Sequence, residues 1–352
     1  MTMKIDAGTY NIIIERGALS KVGEYSAQVM KPCRCVIVSD DNVHPLYADV
    51  VRDSLVEAGF DVAADFVFPH GEESKNMCTL EALLDHLCGE GITRTDAVFA
   101  LGGGVTGDMA GFAAAVYLRG MKFVQIPTSL LACVDSSVGG KTAVDLASGK
   151  NLVGAFHMPS LVVCDPDTLK TLPQEYFSDG MAEVIKMGFI GDPKLLDLLD
   201  GDISDKIDTV IATCAGDKVN IVAGDEFDKG VRQKLNLGHT VGHAMEALSK
   251  YKTHHGMAVA AGMHIITRAA VARGICPAEV LTRLDALLEK YGLDPYIFKA
   301  YTAEDMYAVT LHDKKLRGDR ITLVVPEDMG RRELYEYPVT YLLSIIKDCT
   351  AE

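Results

Sequence analysis

Between residues 9 and 127 short apolar runs alternate with amphipathic stretches, and this restricts the fold more than any other feature of the chain. TYNIII (9–14), CRCVIVSD (33–40), DVAADFVF (61–68), DAVFALG (96–102) and KFVQIP (122–127) read as strands. Residues 43–58 and 75–90 between them read as helices. Strand–helix alternation predicts a mostly parallel sheet covered on both faces. From about Thr168 the pattern turns helical, with 3.6-residue periodicity over 174–191, 205–224, 236–249, 255–273 and 277–291. RITLVVP (320–326) and RRELYEY (331–337) form a late exception that reads as a small hairpin. The expected organisation is an α/β domain over 1–165 and a mainly α-helical domain over 166–352. No low-complexity linker separates them, and clefts at such joins are common ligand sites.

The formal net charge of −15 argues against binding nucleic acid or anionic membranes. An anionic substrate would therefore need a local cluster of Lys and Arg. The nine cysteines are odd in number and lack CxxC spacing, so free buried thiols in a reducing cytoplasm are expected. No signal-peptide pattern stands near the N-terminus, and no eighteen-residue apolar run predicts a membrane span.

GGGVTGD places Gly102, Gly104 and Gly107 in G-x-G-x-x-G spacing, after a strand and before a helix. Glycines there let the backbone approach a pyrophosphate at a helix N-terminus. A plain tight turn is the alternative reading. The motif also comes late in the domain, with no acidic residue closing a strand about twenty residues on. A ribose contact would come from elsewhere, such as Asp40, with Glu72 and Lys75 in PHGEESK nearby in the chain. The stretch 126–156 is long, Gly-rich and polar at intervals. Asp135, Lys141, Lys150 and Asn151 stand among its apolar residues, which fits a loop folded into a cleft better than a solvated surface loop.

His239 and His243 lie four apart in LNLGHTVGHAME, on one face of a predicted helix. Thr240 occupies the position of a metalloprotease's general base, so that reading is discarded. GMAEVIKMG puts Glu183 and Lys186 on one face of an apolar helix, and His254 and His255 open another. A carboxylate and two imidazoles with an open position would make a catalytic Zn²⁺ site.

Taken together, GGGVTGD, IPTSLLACVDSSVGGKTAVD, GKNLVGAF, DGMAEVIKMG, LNLGHTVGHAME, HHGMAVAAGM and HDKKLRGDRITLVVP resemble the sugar phosphate cyclase family, in its 3-dehydroquinate synthase branch. The motifs occur in the family's order and span nearly the whole chain. The resemblance implies an N-terminal NAD-binding domain, a C-terminal metal-binding domain and a homodimer. It implies Zn²⁺ or Co²⁺ held by Glu183, His239 and His255, with His243 as a proton carrier beside the substrate. It implies NAD contacts from Asp40, Asn42, Glu72, Lys75, Gly103, Gly104, Asp108, Thr128, Ser129, Asp135, Lys141, Lys150, Thr168, Thr171 and Leu172. Substrate contacts would be Asp135, Lys141, Lys150, Asn151, Lys186, Lys218, Arg232, Asn236 and Lys314. Five lysines and an arginine among them answer the need for a cationic cluster in an acidic protein. The implied reaction turns 3-deoxy-D-arabino-heptulosonate 7-phosphate into 3-dehydroquinate and phosphate. It proceeds by NAD-dependent oxidation, β-elimination, reduction and aldol closure, without net redox.

Two positions depart from the family pattern. Met257 follows His-Gly where Glu is usual, and Ser129 replaces a more usual Thr. If that Glu supports a ligand histidine, Glu246 is a candidate substitute. A cyclase acting on other sugar phosphates, a metal-dependent polyol dehydrogenase and a non-catalytic sugar-phosphate binder are the rival readings. Arg232, Asn236 and His243 match the dehydroquinate synthase pattern and favour the heptulosonate.

Overall fold

A computed structural model describes residues 2–228, 230–311 and 316–350. The chain forms two compact units, one of Met1–Pro173 with Ile207–Ala223 and one of Gln174–Lys206 with Gly224–Glu352. The first half runs β1 (Met3–Asp6), β2 (Asn11–Ile14), α1 (Val22–Val29), β3 (Arg34–Asp40), α2 (His44–Glu57), β4 (Asp61–Val62), β5 (Phe66–Phe68), α3 (Met77–Gly89), β6 (Ala97–Gly102), α4 (Gly104–Val116), β7 (Lys122–Pro127), β8 (Lys141–Leu146), β9 (Gly149–Phe156) and β10 (Leu161–Cys164). Then follow α5 (Gln174–Ile190), α6 (Lys194–Asp200), α7 (Ile207–Ala223), α8 (His239–Leu248), α9 (His255–Ala272), α10 (Ala278–Lys290), α11 (Ala303–Thr310), β11 (Leu316–Arg317), β12 (Arg320–Asp328), β13 (Arg331–Pro338) and α12 (Val339–Thr350).

The first unit is built on a sheet ordered β1-β2-β10-β7-β6-β3-β4, with β5 also paired to β3. Its pairs are parallel apart from β1 with β2. Side chains alternate across the pleat. Cys35 and Ile37 of β3 pack with Val22 of α1 and Val51 and Leu55 of α2. Val36 and Val38 face the other way, toward Leu80, Leu83 and Leu87 of α3 and Met109 and Ala113 of α4. Burial on both faces is why these strands read as continuous apolar runs. The strand order reverses between β3 and β6, and the carboxyl edge of a parallel sheet at such a point is a ligand site.

Three expectations require correction. The stretch 126–156 contains a π-helical turn, Ala132–Ser136, and then an antiparallel hairpin in which Lys141 pairs with Phe156. Its glycines and lysines hide the short run Thr142–Val144, all three residues of which are buried. DVAADFVF is two short strands, because Asp65 turns aside to pair with His44 and Arg52. The first compact unit runs on to Pro173 and takes in α7. Asp165 ties Pro166–Thr171 to that unit by accepting the Gly17 and Leu19 N–H groups. Asp208 of α7 pairs with Arg16 at 2.7 Å, and Lys218 reaches Asp135. The nine cysteines are free, but Cys78 and Cys88 are exposed rather than buried.

The second unit packs its helices beside a sheet ordered β11-β12-β13, and the predicted hairpin is present as β12 and β13. Helices α8 and α9 approach closely through small residues. Gly238 precedes α8 at φ +80, and a Cβ on it would stand 2.6 Å from Val259 O. A Cβ on Gly262 would stand 2.0 Å from Gly238 O. Among the described residues no helix is long and apolar enough to cross a membrane.

Candidate active site

In the first unit the predicted nucleotide residues gather at the carboxyl ends of the parallel strands. Asp40 ends β3, where its Oδ1 accepts the Asn42 and Val43 N–H groups at 3.0 and 2.9 Å. Its Oδ2 accepts from Thr106 Oγ1, 3.4 Å away, on the first turn of α4. Asp40 is thus built into the start of α2 as well as facing the glycine turn. Gly102 ends β6, and Thr128 N–H donates to its carbonyl. A Cβ on Gly103 would meet Ser129 Oγ at 3.4 Å, and one on Gly104 would meet Ser136 Oγ at 3.0 Å. The turn leaves room for a backbone approach and little for side chains. Thr168 and Thr171, beyond β10, both contact the Tyr47 hydroxyl. The Leu172 N–H closes the same turn on Leu169 O.

Lys75 centres a charged group. Its buried Nζ lies 2.6 Å from Asp108 Oδ2, 2.6 Å from Asn151 Oδ1 and 3.7 Å from Glu72 Oε1. Burial opposes the Lys75 charge, but Asp108 and Glu72 outweigh it and hold the pKa above its ordinary value. Burial raises the Asp108 pKa, and Lys75 offsets only part of that rise. Lys150 approaches the same Glu72 at 3.8 Å. Asn151 sits at φ +54, an uncommon conformation for a residue other than Gly, with its N–H on Asp145 Oδ1 at 2.7 Å. Strain of this kind concentrates at binding sites. Separately, Lys218 Nζ donates to both the carbonyl and Oδ1 of Asp135, each at 2.7 Å. Lys141 stands exposed at the start of β8.

In the second unit α5, α8 and α9 bring one donor each to one place. Ligand atoms of Glu183, His239 and His255 lie within 4.8 Å of one another. Nε2 of each imidazole is 3.6 Å from Glu183 Oε1. Glu183 is completely buried, and neither of its oxygens accepts a hydrogen bond of normal geometry. Lys186 Nζ, also buried, sits against Oε2 as an ion-pair partner. Burial acts to raise the Glu183 pKa, but Lys186 and His255 outweigh it and pull it down to about 2. Burial acts to lower the His255 pKa, but Glu183 and Glu246 outweigh it and hold it well above its ordinary value. An ionised carboxylate, paired with Lys186 at Oε2 and facing two imidazole nitrogens at Oε1, matches the donor set of a divalent transition metal.

His243 is exposed and lies beside both other rings, with centroids 5.4 Å from His239 and 6.0 Å from His255. Arg232 and Asn236 lie on the turn Val231–Asn236 that leads into α8. Arg232 is buried and donates from Nη1 to Glu226 O at 2.7 Å, and Asn236 donates to Gln233 O. Lys314 lies outside the described residues. His254 contacts Tyr176 instead of joining the donor set. Met257 takes the Asp294 N–H on its sulfur and borders a cavity of about 590 Å³ that leaves out the three donors.

Three residues that the sequence reading did not select also shape these sites. Tyr47 joins the turn beyond β10 to α2. Ser136 faces the glycine turn. Asp179, four residues before Glu183 on α5, accepts the Gly256 N–H and so anchors the first turn of α9 beside His255. The spacing to Glu183 is the signal that could have found it.

A parallel α/β unit with a glycine turn at its switch point, and a helical unit with a Glu-His-His set, define the two-part plan of a sugar phosphate cyclase. The 3-dehydroquinate synthase N-terminal family model matches residues 65–179, and the C-terminal model matches 180–316. A 3-dehydroquinate synthase of Streptococcus suis (strain 05ZYH33) is 43% identical over 354 residues, covering 99% of each chain. The 2-deoxy-scyllo-inosose synthase complexed with carbaglucose-6-phosphate, NAD⁺ and Co²⁺ superposes at TM-score 0.88, with 26% identity over 99% of this chain and 100% of that one. The 2-epi-5-epi-valiolone synthase of Streptomyces hygroscopicus subsp. jinggangensis 5008, with NAD⁺ and Zn²⁺ bound, has the same fold at TM-score 0.88 and 24% identity, covering 100% and 99% of the two chains. This chain belongs to the 3-dehydroquinate synthase family.

Proposed function

We propose that this chain converts 3-deoxy-D-arabino-heptulosonate 7-phosphate to 3-dehydroquinate and phosphate. The observation that carries the reading is the 43% identity to a 3-dehydroquinate synthase along 99% of the chain. NAD⁺ and a divalent ion, Zn²⁺ or Co²⁺, supply when bound a hydride acceptor and polarisation of the reacting alcohol.

The residues then have separable roles. Glu183, His239 and His255 hold the ion. Asp40, Asn42, Glu72, Lys75, Gly103, Gly104, Asp108, Thr128, Ser129, Thr168, Thr171 and Leu172 hold the dinucleotide, with the glycine turn at its pyrophosphate. The cations Lys141, Lys150, Lys186, Lys218, Arg232 and Lys314 bind carboxylate and phosphate oxygens against the field of a chain carrying −15. Asn151, Asn236 and Asp135 orient hydroxyls by hydrogen bonds. His243, exposed and one turn from a ligand histidine, carries a proton at the substrate. The chain works in the cytoplasm as a homodimer.

The test is substrate comparison. Purified protein with NAD⁺ and Zn²⁺ or Co²⁺ receives the heptulosonate phosphate, glucose 6-phosphate or sedoheptulose 7-phosphate. Turnover of the heptulosonate is expected. Turnover of either other sugar, with none of the heptulosonate, would contradict the assignment.

A further inference from the structure

We infer that Glu246 is the positioning residue of the metal site: it holds Nδ1 of His255 and thereby commits Nε2 to the ion. This rests on the reading of Glu183, His239 and His255 as the metal ligands.

The two ligand imidazoles are set in the same sense. Each turns Nε2 toward Glu183 Oε1, at 3.6 Å, and each has an acceptor behind it at Nδ1. For His239 the acceptor is the Leu237 carbonyl, at 3.1 Å. For His255 it is Glu246 Oε2, at 3.3 Å, on a residue only 2% exposed. A carboxylate behind a ligand imidazole fixes its tautomer and ring plane and makes it a more basic donor. The helix delivers that carboxylate without distortion. Glu246 is seven residues after His239 on α8, two turns along the same face, where the close α8–α9 contact brings it to the start of α9. A buried charge of this kind is costly unless it is paired and hydrogen-bonded. His255 is a partner that meets this requirement.

A competing geometry shares His255. Ligand atoms of His243, Glu246 and His255 also lie within 4.8 Å of one another, and an ion held there would make Glu246 a ligand. The two arrangements give opposite results on Glu246→Gln. An amide oxygen still accepts from Nδ1–H, but it is a poor replacement for a ligating carboxylate.

The experiment titrates Zn²⁺ and Co²⁺ against a chelating dye and records the Co²⁺ absorption bands for the native protein, Glu246→Gln, Glu246→Ala and Glu183→Gln. Thermal unfolding of each metal-free protein is followed alongside. Glu246→Ala is expected to weaken metal binding about 10- to 100-fold. Glu246→Gln should recover most of the loss, with Co²⁺ bands unchanged in position and intensity. Glu183→Gln should abolish binding. If Glu246→Ala does not fold, Glu246→Gln carries the test, with a few-fold loss and unchanged bands expected. Metal affinity within twofold of native in both Glu246 variants, with only the metal-free stability lowered, would show a packing role and overturn the inference. A Co²⁺ spectrum altered in Glu246→Gln, with binding lost as fully as in Glu183→Gln, would make Glu246 a ligand and also overturn it. Native binding and spectrum in Glu183→Gln would overturn the ligand reading itself.

Discussion

Glu183 stays ionised where water does not reach it, because Lys186 and His255 supply positive charge at both ends of its carboxylate. This couples the metal-free protein's stability to pH in two windows. Glu183 has a folded pKa depressed to about 2, so its contribution is present above its ordinary 4.5 and is lost as pH falls toward 2. His255 has a raised pKa, so its contribution is full below its ordinary 6.5 and fades as pH rises through the folded value. Urea midpoints of metal-free protein should therefore contain a component that is greatest between those two ordinary values. Bound metal should reverse the upper limb, since the ion displaces the His255 proton and binds more tightly as pH rises. Flat midpoints across the upper window with and without metal would contradict this charge arrangement. For His243→Ala, metal content measured by emission spectroscopy should remain native while turnover drops about 10²- to 10⁴-fold. Loss of the ion in that variant would mean that His243 shares it.

Among the elements, α8 and α9 decide whether the histidines meet. Gly262→Ala places a methyl 2.0 Å from the Gly238 carbonyl, which no rotamer change relieves. About 1–3 kcal/mol of stability should be lost in urea unfolding, with weaker metal binding as the helices separate. Unchanged values for both would show that this contact does not set the site. That contact is hard to read from the sequence, because small residues on a helix also suit an ordinary buried face. The spacing of His239 and His243 is plain in the sequence; which neighbour each would find is not. Helices α8, α9 and α10 and the hairpin β12–β13 follow directly from periodicity, and so do β3, β6 and β7. The hairpin β8–β9 is hidden by its own glycines and lysines. The allegiance of α7 is hidden because its ties to the first unit, through Asp208 and Lys218, are long-range ion pairs that no local pattern encodes. Met257 shows the same limit from the other side. The sequence shows an absent carboxylate and offers Glu246 as its substitute, but not that Glu246, nine residues before His255, stands behind that particular ring.

For the whole molecule, an excess of fifteen negative charges coexists with lysines that are buried beside carboxylates. Lys75, Lys186 and Lys218 each sit within ion-pair distance of an acidic side chain. Pairing of this kind lets an acidic chain keep cations buried and pre-arranged for an anionic substrate. A reaction in which NAD⁺ is first reduced and then regenerated consumes none of it, and this separates a cyclase from a dehydrogenase of related fold. The most direct measurement is phosphate release from 3-deoxy-D-arabino-heptulosonate 7-phosphate, with NAD⁺ in catalytic amount and Zn²⁺ or Co²⁺ present, while absorbance at the NADH band is followed. Many turnovers of phosphate per NAD⁺, dependence on both metal and NAD⁺, and no accumulation of NADH are expected. NADH formed in proportion to substrate without phosphate release would contradict it.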